Sequence, residues 1–154
     1  MTHYVRECVV TYRNTRRKMP AKCIRSAEDA ANIARAVIPD GPQERLVAIL
    51  LDSRHAVLGV FTVGVGGIAD CPAAPETVFR AALIAGAAAF ILAHNHPSGA
   101  LEPSDSDVTL THRLDRGAAL LGLQLLDHVI VVPRRYYSFR EKGLISGGAL
   151  DSAK

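Results

Sequence analysis

Apolar and polar positions alternate along this chain in blocks that predict its elements. Leu46 to Leu51 is an uninterrupted apolar run, the pattern of a central strand covered on both faces. Asp52-Ser53-Arg54-His55 predicts a turn, and Val57 to Val65 the returning arm of a hairpin. Phe90-Ile91-Leu92-Ala93 reads as a second buried strand, ending at His94. Leu123 to Val132 reads as another strand, with Tyr136 to Arg140 as a short partner, and residues 4–11 pattern as a strand near the N-terminus. Three helices fit between them. Ser26 stands three residues before Asp29, a capping-box arrangement opening a helix over about 27–38 that Asp40-Gly41-Pro42 stops. Pro75 suits the first turn of a helix that Ala-rich residues carry to about Ala88. Ser104 opens a third, ending near Gly122. Gly66-Gly67 and Pro72 mark one loop, residues 95–103 another, and the tail from Ser146 reads as frayed. Hairpins mixed with helical crossovers predict a layered α/β (α+β) domain whose mixed β-sheet is flanked by helices. No repeat or linker divides residues 1–154, so they read as a single domain.

Composition narrows this picture. The chain is 49% hydrophobic but only 5% aromatic and has no Trp, so Ala, Leu, Val and Ile must fill the core. Cys8, Cys23 and Cys71 are odd in number and scattered, with no Cys-x-x-Cys, which reads as reduced thiols in a cytoplasmic protein. The N-terminal Met-Thr-His-Tyr-Val-Arg has no apolar signal core. The longest apolar stretch, around Ala81 to Ala93, is interrupted by Gly86 and is too short to span a bilayer. A net charge of +3 does not itself argue for nucleic acid. The basic loop Arg13, Arg16, Arg17, Lys18, Lys22 and Arg25 reads first as a solvated face. Its second reading is a weak, salt-sensitive DNA contact through the Arg13–Arg25 loop.

The chemistry concentrates in His94-Asn95-His96-Pro97, followed by Ser104 and Asp107. Alternate strand residues share a face, so His94 and His96 point the same way if the strand continues. Asp107, one turn into the following helix, can return as a third ligand. Two imidazoles and a carboxylate are the donor set of a catalytic zinc site, which keeps its fourth position for water. A structural site would want four ligands, usually with cysteine. Ser104 at the helix start can donate a hydroxyl nearby, where the helix N-terminus adds a positive field. Hydrolysis also needs a general base. Glu44, at the start of the most buried strand, is the best placed, ahead of Glu102 in the loop between Leu101 and Pro103.

Plainer readings stay open for each residue. The histidines can cap a polar turn, Ser-x-x-Asp is itself a capping box, and Glu44 can be a solvated strand end. Capping and catalysis are compatible at Ser104, because the cap also fixes the carboxylate. His128, inside an apolar strand, reads as a hydrogen-bonded core residue beside the site, not a ligand. Cys71 has no histidine tied to it by spacing.

Taken together, an upstream glutamate, His-x-His-Pro, seven residues and Ser-x-x-Asp resemble the JAMM metalloprotease signature of JAB/MPN domains. His94-Asn95-His96-Pro97-Ser98-Gly99, Pro103-Ser104, Leu126-Asp127-His128-Val129-Ile130-Val131, Gln43-Glu44 and Ser138-Phe139-Arg140-Glu141-Lys142-Gly143-Leu144 resemble its RadC branch. The likeness covers about residues 4–145. It implies a JAB/MPN fold akin to the cytidine deaminases. It implies Zn2+ on His94, His96 and Asp107, Glu44 as the catalytic glutamate, and Ser104 as the serine that steadies the tetrahedral intermediate. Two departures stand out. RadC proteins usually carry an N-terminal helix-hairpin-helix region, for which this chain is too short. They also usually read Pro-Arg-Glu where this chain has Ala74-Pro75-Glu76-Thr77.

The expected function is therefore a zinc-dependent metallopeptidase or isopeptidase that cleaves an amide bond of a peptide or protein substrate with metal-activated water. The alternative is a DNA-repair-associated accessory, or a nucleic-acid-binding module with a weak or idle metal site. Nucleases more often use carboxylate-rich magnesium sites. A zinc deaminase would need His-x-Glu with Pro-Cys-x-x-Cys, and the sequence has neither. The alternative makes a measurable demand. Anisotropy titrations of plain duplex DNA at physiological salt are expected to show weak or no binding. Submicromolar affinity, with a salt slope reduced by neutralising Arg16, Arg17 and Lys18 together, would promote the nucleic-acid reading.

Overall fold

In the computed structural model, residues 12–13, 15–16, 18–66 and 74–145 are described. The predicted strand over 4–11, Arg17, Cys8, Cys71 and the tail from Ser146 lie outside them. The elements in chain order are α1 (Ala27–Val37), β1 (Arg45–Leu51), β2 (Val57–Val65), α2 (Pro75–Ile84), β3 (Ala89–Asn95), α3 (Asp105–Leu120), β4 (Gln124–Val132) and β5 (Arg135–Ser138).

The apolar runs become the middle of one five-stranded mixed sheet, ordered β2-β1-β3-β4-β5. β1 pairs antiparallel with β2 and β3, β3 parallel with β4, and β4 antiparallel with β5. Helices cover both faces, which is why β1 and β3 carry no alternation: each is buried almost end to end. On one face Leu46, Ala48, Leu50, Phe90, Leu92 and Ile130 pack with Val78 and Ala82 of α2 and Leu110, Leu114 and Ala118 of α3. On the other, Val47, Ile49, Leu51, Ile91, Ala93 and Val129 pack with the small face of α1, Ala30, Ala31, Ile33 and Ala34. Each large aliphatic side chain removed from water here contributes about 1.5–3 kcal/mol.

Local signals set the ends. Ser26 and Asp29 form the expected capping box of α1. The turn after β1 is tied by the Asp52 carboxylate, which accepts from the Arg54 and Ala56 backbone N–H groups. The helix begun by Pro75 stops at Ile84, four residues short of the expected Ala88. Gly86 takes φ 65° there, and the Ala alphabet that favours helix passes into β3 instead. α3 carries a glycine mid-helix for a packing reason. A Cβ on Gly117 would stand 2.6 Å from the Phe79 ring of α2. The basic loop is exposed at Arg13, Arg16, Lys18, Lys22 and Arg25, and its end bridges from Cys23 to Ala56 at the start of β2.

One irregularity decides what faces what. Between Phe90 and Ile91 the parallel register shifts: Phe90 pairs with Leu125 and Ile91 with Asp127, so Leu126 bulges. Without that extra residue Leu126 and His128 would share a face. Instead Leu126 packs toward α1, while His128 faces α3 and His94. Asp127 fastens the bulge. Its Oδ1 accepts from the backbone N–H groups of His128 (2.7 Å) and Arg140 (3.0 Å), and its Oδ2 from the Ser138 hydroxyl (2.6 Å).

Burial pushes the Asp127 carboxyl up to about 6, outweighing the three donors. The native state therefore binds this proton more tightly than the unfolded chain, where the ordinary value is 3.8. The resulting stability is full below about pH 4 and is lost as pH rises through about 6, a change of at most about 3 kcal/mol. Asp127→Asn keeps the shape without the charge. Urea unfolding across pH 4–7 should show the variant gaining on the wild type as pH rises. A difference independent of pH would contradict a buried, proton-hungry Asp127.

Candidate metal centre

His94 stands where β3 reaches the edge of the core. Its alternate neighbours Phe90 and Leu92 pack against α2 and α3, so its ring points to that face and is fully buried. β3 extends through Asn95, and the His96 N–H continues the ladder to the Val131 carbonyl, so the two histidines do share a face. Their Nε2 atoms are 2.9 Å apart. α3 starts opposite them. Ser104 is its N-cap and Asp107 its third residue, in a reciprocal capping box.

That cap divides the work of the Asp107 carboxylate. Oδ2 accepts from the Ser104 hydroxyl at 2.6 Å and from the Ser104 backbone N–H at 2.8 Å. Oδ1 has no hydrogen-bond partner although it is buried, and it lies 3.3 Å from His94 Nε2. A carboxylate oxygen can only accept. His96 Nδ1 lies 2.9 Å from the Ala100 carbonyl, so that nitrogen carries a proton and Nε2 is the atom left for the cluster. Asp107 Oδ1 and the two Nε2 atoms thus converge on one small space, a costly arrangement in a buried site unless a cation or a proton joins them.

Glu44 closes the group. One ligating atom from each of Glu44, His94, His96 and Asp107 falls within 4.8 Å of the others. Glu102, the lesser candidate for the base, is exposed in the loop and lies outside this cluster. The electrostatics follow from the geometry. Burial, then the neighbouring His128, hold His94 well below the ordinary histidine range, which favours the neutral ring with one bare nitrogen. Contact with Asp107 raises His96, against the cost of burial. Burial alone would raise Asp107, but His96, His94 and Ser104 together hold it well below the carboxylate range. The anionic Asp107 thus favours positive charge at the point where the two histidines meet it.

The donor set fits zinc. Ligand atoms about 2.1 Å from a tetrahedral ion stand about 3.4 Å apart, close to the 3.3 Å between His94 Nε2 and Asp107 Oδ1. Borderline imidazole and carboxylate donors suit zinc better than the all-oxygen cages of magnesium and calcium.

Two roles were not assigned from sequence. Asn95, between the histidines, accepts from the Arg45 backbone N–H at 2.8 Å and donates to the Gln43 carbonyl at 3.1 Å. It fastens the backbone on both sides of Glu44. The signal lay in its position within the motif, but its partners are 50 and 52 residues away. Thr111 is the other, hydrogen-bonded to the Asp107 carbonyl and to His128. Its spacing of four from Asp107 places both on one helix face, a weak cue alone.

Known proteins share this arrangement of sequence. A UPF0758 protein of Bacillus licheniformis is 39% identical over 122 residues, covering 79% of this chain and 54% of that protein. One from Methanococcoides burtonii is 36% identical over 127 residues, covering 82% and 56%. One from Streptococcus thermophilus is 40% identical over 119 residues, covering 77% and 52%. The chain spans about half the length of these relatives. The family model described as the RadC-like JAB domain matches residues 24–144, a span that holds the whole Glu44, His94, His96 and Asp107 cluster, every described strand and all three helices. The chain belongs to the RadC-like JAB domain family.

Proposed function

We propose that this protein is a zinc-dependent hydrolase that cleaves an amide bond in a peptide or protein, as a metallopeptidase or isopeptidase. The observation that carries the reading is the unpartnered, buried Asp107 Oδ1 beside two imidazole Nε2 atoms. His94, His96 and Asp107 would hold the ion. Zinc bound there would polarise a substrate carbonyl and bring the pKa of a coordinated water to about 7.

The remaining work falls to the chain. Glu44 takes a proton from the attacking water at its carboxylate and returns it to the leaving nitrogen. Asn95 keeps that carboxylate aimed by holding Gln43 and Arg45. Ser104 lies at the exposed rim of the cluster. Its hydroxyl proton rests on Asp107 Oδ2, which also keeps the Ser104 backbone donor. The hydroxyl can therefore turn toward negative charge developing on the carbonyl oxygen without stripping Oδ2 of its last partner, a contribution of about 3 kcal/mol.

Two outcomes check this reading. His94→Ala, His96→Ala and Asp107→Ala should each lower zinc content sharply, measured by elemental analysis after dialysis; full zinc in the double histidine variant would sink the ligand set. Glu44→Gln keeps its volume but cannot accept the proton. Zinc should remain bound while cleavage of a peptide-library substrate falls by about a hundredfold or more. Unchanged turnover would place the base elsewhere.

A further inference from the structure

Behind the cluster, Thr111 and His128 form a connected pair, both buried. Thr111 lies one turn after Asp107 on α3, and the bulge at Leu126 delivers His128 to the same place. Thr111 Oγ1 is 2.6 Å from the Asp107 carbonyl oxygen and 2.6 Å from His128 Nδ1. His128 Nε2 is 2.8 Å from His94 Nδ1.

Counting protons orients this chain. Two oxygens 2.6 Å apart need a proton between them, and a carbonyl has none to give. Thr111 must therefore donate its only proton to the Asp107 carbonyl. Its oxygen can then only accept from His128, so His128 carries its proton on Nδ1. His128 is fully buried and its side chain meets Thr111 and His94, so a second proton would be a buried charge without a counter-ion beside it, and the ring is neutral. Its Nε2 is then bare and accepts, which requires the proton of His94 on Nδ1. The lone pair of His94 is left on Nε2, the atom that faces His96 and Asp107. The Phe139 ring stacks on His128 at 4.7 Å and 14°, restricting it from turning over.

We propose that Thr111 and His128 are positioning residues: a tautomer relay, anchored on the Asp107 backbone carbonyl, that fixes His94 with its Nε2 lone pair presented to the cation site. The use of that lone pair rests on the zinc reading above; the relay itself does not. Such partners behind a metal-binding histidine set both its tautomer and its aim. Here the anchor belongs to the same residue that supplies the carboxylate, so the loop of contacts ties one ligand's backbone to the other ligand's ring.

The test combines two readouts on the full chain. Long-range proton–nitrogen NMR correlations of the metal-free protein report the tautomer of each histidine. Competition with a chromophoric chelator reports affinity for zinc itself. Wild type should show Nδ1–H on both His94 and His128. Thr111→Val keeps the shape but not the oxygen; it should release both tautomers and weaken zinc binding by about ten- to a hundredfold. Thr111→Ser should restore both readouts. A packing role predicts the reverse order, because Val fills the site and Ser leaves a methyl-sized void. Should Thr111→Val not fold, His128→Gln, which keeps an acceptor for His94, against His128→Phe makes the same comparison. Nε2–H on His94 or His128 in wild type, or Thr111→Val matching wild type in both readouts, overturns the relay. Correct tautomers in a protein that binds no zinc would uphold the relay and remove the metal reading instead.

Discussion

An unsatisfied carboxylate oxygen organises this structure. Asp107 Oδ1 is buried without a hydrogen-bond partner, next to the Nε2 atoms of two imidazoles. Proteins avoid such a concentration of acceptors because each lost hydrogen bond in a buried site costs about 1–3 kcal/mol. Here the surroundings enforce it. The α3 cap claims Oδ2 and the Ala100 carbonyl claims His96 Nδ1, so both remaining atoms turn inward. The arrangement makes sense if the inward side is where a cation belongs.

The fold supplies this arrangement through a few rigid elements. β3 sits in the centre of the sheet, paired along its length on both sides, and delivers the histidines at its end. β1, next to it, brings Glu44 to the same end, and Asn95 bonds across the gap between the two strands. α3 approaches from one face with Asp107 in its first turn, where the helix N-terminus favours an anion. Three elements that share one core thus meet at one point, and the bulge in β4 brings His128 behind them.

Much of this was legible in the chain. The uninterrupted runs Leu46–Leu51 and Phe90–Ala93 gave buried central strands because covered strands need no polar face. Ser26-Asp29 and Ser104-Asp107 marked helix starts because the capping box is a local interaction. His94, His96 and Asp107 were readable together because strand and helix periodicities fix their directions once the elements are placed. Three features were hidden. The end of α2 depended on Gly86 overriding Ala-rich helix propensity. The face of His128 depended on a one-residue bulge, which reverses alternation and leaves no local mark. The partners of Asn95, Gln43 and Arg45, lie at the start of β1, 52 and 50 residues away, and only the sheet register brings them together.

X-ray absorption at the zinc edge of the zinc-loaded protein tests the account most directly, because it reads the donor atoms themselves. The account predicts nearest scatterers of nitrogen and oxygen alone at about 2.0–2.1 Å, with the outer scattering of two imidazole rings. Sulfur at about 2.3 Å, which would mean thiolate ligation by the cysteines, or the absence of any imidazole signature, would contradict it.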